Sequence, residues 1–341
     1  MTQIKPNAEV RPIVPPTSSP EAPPPDLAPP PDLAPPTRHG SVRRLGDRVF
    51  SGSATTAGVV ILAVLVLVAT FLVVQGVPAL TAPAEDLPYG PFLSFVLPLA
   101  FATVWAAFLA LLMAVPVALG IALFISHYAP RRLASGLGYV VDLLAAVPSV
   151  VFGLWGVNVL APAIQPAYSW LASTLGFIPL FAGPVSGTGR TIFTVAIVLA
   201  VMILPIITAL SREVFLQTPR LHEEAALALG ATRWEMVRTA VLPFARPGII
   251  SAAMLGLGRA LGETMAVALV LSPGAVISFA LLKSEAPTTI AGNIALSFPE
   301  AYGLGVNQLI ATGLVLFAIT LAVNMIARAI IERRKEFSGA N

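Results

Sequence analysis

Six stretches of this chain are long and apolar enough to leave water. A helix needs ~20 predominantly apolar residues to cross the hydrocarbon core of a bilayer. Residues 55–77, 95–126, 138–160, 191–214, 247–272 and 306–331 each meet that length. In lipid every backbone N–H and C=O must find its partner within the protein, so such a run folds as a helix. The pattern predicts an all-α membrane protein with six transmembrane helices, the second interrupted by Pro116. Composition agrees, since 11% of the 341 residues are charged against ~25% in a soluble domain.

Lys and Arg close to the span ends set the orientation. Arg38, Arg43, Arg44 and Arg48 precede the first run, and Arg131 and Arg132 separate the second from the third. Arg212, Arg220, Arg233, Arg238 and Arg246 lie between the fourth and fifth, and Arg333, Arg334 and Lys335 follow the sixth. The opposite side has Arg190 and Lys283. Both termini are therefore expected in the cytoplasm. The first apolar run starts too far from the N-terminus, and runs too long, for a cleaved signal peptide and reads as a membrane anchor. Residues 1–40 read as a disordered proline-rich cytoplasmic tail, with 13 prolines in residues 1–36 and PPPDLA repeated at 23–28 and 29–34. Residues 41–335 form the membrane domain and 336–341 a short C-terminal tail. The outer connection 161–190, with Tyr168 and Trp170, is expected to lay a short helix on the outer surface. The outer connection 273–305 reads as an irregular loop. A net charge of +3 gives no reason for nucleic-acid binding, and the absence of cysteine excludes disulfides, thiolate metal sites and a cysteine nucleophile.

The inner connection 212–246 carries dense capping signals. Thr218 and Pro219 read as an N-cap and first helical residue, and Gly230 as the left-handed stop of the helix RLHEEAALAL. Thr232 with Glu235 forms a Thr-x-x-Glu capping box for a second helix, which Pro243 and Pro247 are expected to end before the fifth span. The result is a built knob on the cytoplasmic face, about 218–240. The small Ala225, Ala226 and Ala228 would let a partner surface approach.

The fifth run holds two charges, in GLGRALGETMAV at 256–267. A charge at the bilayer centre costs at least a few kcal/mol. In a continuous helix over 247–272, Arg259 falls at the midpoint and shares a face with Glu263 four residues on. Gly258 and Gly262 flank that face and would let a neighbouring helix come close. One reading is a self-neutralising structural ion pair. The other is an anion contact, because a guanidinium cannot deprotonate and its planar fork matches an oxyanion.

These motifs resemble a known family. EAALALG at 224–230 followed by Leu242-Pro243 is similar to the EAA signature of ABC importer permeases, with Ala240 where that pattern has isoleucine. DLLAAVPSVVFGLWG at 142–156 resembles their third span, with Asp142 for glutamate. GLGRALGETMAV resembles the fifth span of phosphate-importer permeases of the PstC type. The resemblance covers about 41–335. It implies the type I (MetI-like) importer fold with a cytoplasmic coupling helix, in the plasma membrane of a prokaryote. It implies a substrate path for phosphate through Arg259, Glu263 and Thr264, and coupling to an ATPase through Glu224, Ala225, Ala226 and Gly230. Molybdate, sulfate or phosphonate would suit the same arginine chemistry. The implied partners are a second permease (PstA-like), a pair of ATPase subunits (PstB-like), an extracytoplasmic phosphate-binding protein (PstS-like) and membrane lipid. ATP and Mg would bind the ATPase; this chain would carry no cofactor or metal and would not be an enzyme.

Other classes fit less well. There is no Walker A sequence, and GPVSGTGRT at 183–191 lacks the lysine and the preceding strand. His39, His127 and His222 are too scattered for a metal site, and Asp142 lies two turns from Ser149. A passive channel does not need a capped knob, and a scaffold does not need Arg259.

Overall fold

The computed structural model of the chain describes residues 45–335, without 272, 273, 275 and 285. The proline-rich tail and the last six residues lie outside them. All regular structure among the described residues is helical. In order these are α1 (Leu45–Thr81), α2 (Phe92–Tyr128), α3 (Arg131–Ala145), α4 (Ser149–Leu175) and α5 (Ile192–Leu216), followed by α6 (Arg220–Ala228), α7 (Arg233–Leu261), α8 (Met265–Val270), α9 (Ile290–Ser297) and α10 (Leu304–Lys335). The predicted six spans are present as α1, α2, α4, α5, α7 and α10. The chain divides between Leu62 and Ala63 into two compact units. In the first, Val49, Phe50, Val59, Val60 and Ile61 of α1 are exposed, as lipid-facing side chains are. The packing described below lies within the second.

The core is built on α2 and α5. Ala102, Ala106, Ala110, Ala114, Ala118 and Ala122 recur every fourth residue and are all buried. Residues four apart share one helix face, and a stripe of methyl groups lets a neighbouring helix approach. Leu199, Met202, Ile203 and Ile207 of α5 fill the space against most of that stripe.

Prolines redraw four of the expected boundaries. Pro116 does not interrupt the second span, and α2 runs unbroken past it. The apolar run 138–160 is not one helix, because Pro148 cuts it and sits as the N-cap of α4. The residue before a proline is pushed out of the α region, so α3 ends at Ala145 and the third span begins at Ser149. That span continues to Leu175. The connection 161–190, expected to lay a short helix on the surface, therefore gives residues 161–175 to this span, and Tyr168 is fully buried. Nor do Pro243 and Pro247 separate the second knob helix from the fifth span, since α7 runs through both.

The same device lets helices continue. Three π-turns, 124–128, 156–160 and 237–241, each end two residues before a proline: Pro130, Pro162 and Pro243. A proline ring clashes with the carbonyl four residues back. The wider π-turn makes room for the ring, and in two of the three cases the helix goes on. In the connection 273–305, α9 interrupts the expected irregular loop, and Leu281, Leu282, Thr288 and Thr289 before it are buried.

Candidate functional site

Arg259 lies in the last turn of α7, not at the midpoint of a span. At ~1.5 Å per residue it stands about 20 Å along the axis from Arg246, still within a ~30 Å hydrocarbon core if Arg246 marks the inner surface. The helix stops at Leu261, and Gly262 takes φ −90°, ψ 0°. Glycine costs ~1 kcal/mol relative to alanine inside a helix, so the Gly258/Gly262 pair makes this a weak point. The helix is broken over 262–264, and α8 begins at Met265.

The break overturns the expected pairing. Four residues bring side chains together only while the helix is continuous. Glu263 instead turns inward, is buried, and accepts a hydrogen bond from the Ala266 N–H at 3.0 Å. Among the described residues Arg259 has no salt-bridge partner. Thr264 is half-buried, and its hydroxyl donates to the Gly262 carbonyl at 3.2 Å.

Arg259 opens into a cleft of about 510 Å³ between α5, α7 and α10. Ser251 and Asn324 are its other polar side chains, and Ile206, Met254 and Leu255 form its apolar wall. Gly258 is exposed, with open space where a Cβ would stand, so none of the described residues is the expected close neighbour. The charge is permanent, and the guanidinium has five donors in a fixed fork. A half-exposed guanidinium at the rim of such a cleft can hold an oxyanion through two parallel hydrogen bonds. None of the motifs above singles out Asn324. Its signal was available, as an amide inside the apolar run LVLFAITLAVNMIA.

The predicted knob forms as helix, left-handed stop and second helix. Gly230 has φ +86°, a conformation that costs other residues ~1–2 kcal/mol. The capping box closes in both directions: the Glu235 carboxylate accepts from the Thr232 N–H at 2.8 Å, and the Glu235 N–H donates to the Thr232 hydroxyl at 3.3 Å. Thr218, however, caps nothing. Pro219 is the N-cap of α6, and the Thr218 hydroxyl is buried without a hydrogen-bond partner among the described residues. Pro219 thus stands one position earlier than expected, at the N-cap itself, with the extended backbone (φ −61°, ψ 125°) of a cap residue.

Glu224, Ala225 and Gly230 stand exposed, whereas Ala226 packs inward against the cluster of Phe215, Met236, Val237 and Val241. Leu229, at 90% exposed, and Leu221, at 76%, leave an apolar surface on the knob. Among the described residues a histidine–carboxylate contact ties it to the spans. Glu223 of α6 lies 3.5 Å from the His127 Nε2 in the π-turn of α2. The His127 Nδ1 meets the Ser126 hydroxyl at 2.7 Å.

Residues 114–336 match a family described as binding-protein-dependent transport system inner membrane component. A Mycobacterium tuberculosis protein named phosphate transport system permease protein PstC 2 is 47% identical over 308 residues, covering 84% of this chain and 92% of that protein. The Mycobacterium leprae phosphate transport system permease protein PstC is 47% identical over 302 residues, covering 85% and 94%. The protein of the same name in Mesorhizobium japonicum is 42% identical over 246 residues, covering 70% and 74%. Among solved structures, a bacterial ABC transporter involved in the import of the acidic polysaccharide alginate aligns with a TM-score of 0.57 at 17% identity, covering 84% of this chain and 96% of that one.

Proposed function

Because the chain belongs to the family of binding-protein-dependent transport system inner membrane components, we propose that it is the PstC-type permease subunit of an ATP-driven phosphate importer. It is a multi-pass membrane protein with the type I ABC importer fold. The observation that carries the reading is Arg259, a permanent charge with no carboxylate partner among the described residues, at the rim of a cleft between three spans. The names of the relatives favour phosphate over other oxyanions of the same geometry.

In this reading both termini and the knob face the cytoplasm. A second permease completes the path across the exposed Gly258 face. A pair of ATPase subunits seats on Glu224, Ala225, Gly230 and the exposed leucines, and a binding protein outside delivers the anion. Arg259 meets phosphate in transit. It holds the ion weakly, since a site midway must also release it. Glu263 acts through the helix break. Tied to the Ala266 N–H, it leaves the guanidinium free. If 262–264 closed into helix, Glu263 would come one turn above Arg259 and compete with the anion for it. Thr264 belongs to the same hinge.

The test is radiolabelled phosphate uptake by Arg259→Gln in cells where the assembled complex is quantified. Uptake per complex should fall ~10-fold or more, the equivalent of ~1.4 kcal/mol of lost stabilisation. Undiminished uptake would remove Arg259 from the path, and loss of assembly in place of transport would make it a structural charge. Excess sulfate or molybdate, added to the wild type, should leave uptake intact; strong competition would reassign the anion.

A further inference from the structure

The glycine-rich segment GPVSGTGRT, 183–191, joins α4 to α5 and binds no nucleotide by its pattern. The structure gives it another task. Its Ser186 N–H donates to the Leu282 carbonyl at 2.8 Å, and the neighbouring Leu281 N–H to the Leu180 carbonyl at 2.8 Å. Gly189 has φ +70°, and a Cβ there would collide with the Ala161 carbonyl, so only glycine lets the chain pass so close to α4. Thr191 then caps α5 through the Thr194 N–H at 3.2 Å, and the Thr194 hydroxyl meets the Tyr168 hydroxyl at 2.7 Å. Ser186, Thr191, Thr194 and Tyr168 are all buried. The segment is therefore rigid on both sides of Arg190.

Arg190 reaches across to α8. Its Nε donates to the Val270 carbonyl at 3.0 Å and its Nη2 to the Leu269 carbonyl at 2.8 Å. These are the last carbonyls of a helix of six residues, which have no partner within it. A helix so short does not hold itself together. Glu263 supplies a negative group at its first turn and Arg190 a positive one at its last, both favourable to the helix dipole. The side of α8 rests on α4, where a Cβ on Gly153 would come 2.8 Å from the Ala266 Cα.

We propose that Arg190 is a positioning residue of the transport site. Held by 183–191, it anchors α8 from its far end and so keeps the break at 262–264 open, which leaves Arg259 free for the anion. The proposal rests on Arg259 lying on the phosphate path. Without the anchor, α8 slides toward α7, the break closes, and Glu263 covers Arg259.

Two measurements on the full reconstituted complex test this. The chain has no cysteine, so spin labels at Ser169→Cys on α4 and Met265→Cys on α8 report the placement of α8 directly. Both positions are exposed. Arg190→Gln should shift or broaden the label distance, and uptake per assembled complex should drop ~10-fold or more, as small misplacements near a transport site do. ATP hydrolysis should persist, so that more ATP is consumed per phosphate moved. Arg190→Lys, which keeps the charge but not the planar fork that reaches both carbonyls, should fall between. An unchanged distance with uptake within about twofold of wild type would overturn the proposal. So would loss of assembly in proportion to uptake in both variants, which marks a scaffold residue. If Arg259→Gln transports normally while Arg190→Gln still shifts α8, the anchor stands and the assigned path falls. If Arg259→Gln fails while Arg190→Gln behaves as wild type, the path stands and the anchor falls.

Discussion

Arg259 is tolerable inside a membrane domain because it need not face lipid. A central charge turned to lipid costs ~2.5–3.5 kcal/mol or more, and the cleft with Ser251 and Asn324 removes that demand. The residue type and the chemistry open to it were legible from the apolar sequence around it. Its freedom from Glu263 was not, because spacing along a helix cannot show where the helix stops. Gly153 is a second single residue on which the site depends. Its missing side chain lets α4 reach the backbone of α8, and backbone cannot yield as a flexible side chain would. Gly153→Ala gains ~1 kcal/mol in helix propensity, yet overpacking typically costs ~1–3 kcal/mol. The variant complex should melt at a lower temperature than wild type and carry less phosphate per assembled complex. A higher melting temperature with full uptake would show that α8 has room to move.

The elements follow local chemistry where the chemistry is local. The capping box and the left-handed Gly230 were readable because each needs only residues within four positions. Thr232→Ala should cost ~1 kcal/mol of local stability. Amide exchange over 233–236 should then quicken by about fivefold, with exchange in α2 and α5 unchanged. Equal exchange in the two proteins would mean that tertiary contacts of Met236 and Val237, not the cap, hold this turn. Helix continuity was less legible. The prolines mark possible ends equally at Pro148, Pro162 and Pro243, but the chain stops at the first and continues through the others behind a π-turn. The choice depends on whether neighbouring helices bury the widened turn. That is why the third span was displaced by eleven residues at its start, from 138 to 149.

For the whole molecule, the distribution of Lys and Arg predicts a sidedness that labelling can check. In the naturally cysteine-free chain, Ser338→Cys should react with a membrane-impermeant maleimide only from the cytoplasmic side, and Ala84→Cys only from outside. Reaction of Ser338→Cys from outside would break the six-span topology or its orientation. Six spans, their order and the capped knob were determined by the sequence alone, because lipid forces each long apolar run to close its own hydrogen bonds and because caps act over a single turn. The tertiary structure alone decided that the fifth span breaks after Leu261, that Glu263 serves α8 instead of Arg259, and that a glycine-rich loop eighty residues upstream anchors the fragment. A six-residue helix has too few internal bonds to place itself, so its position is settled by whichever distant groups meet its two ends.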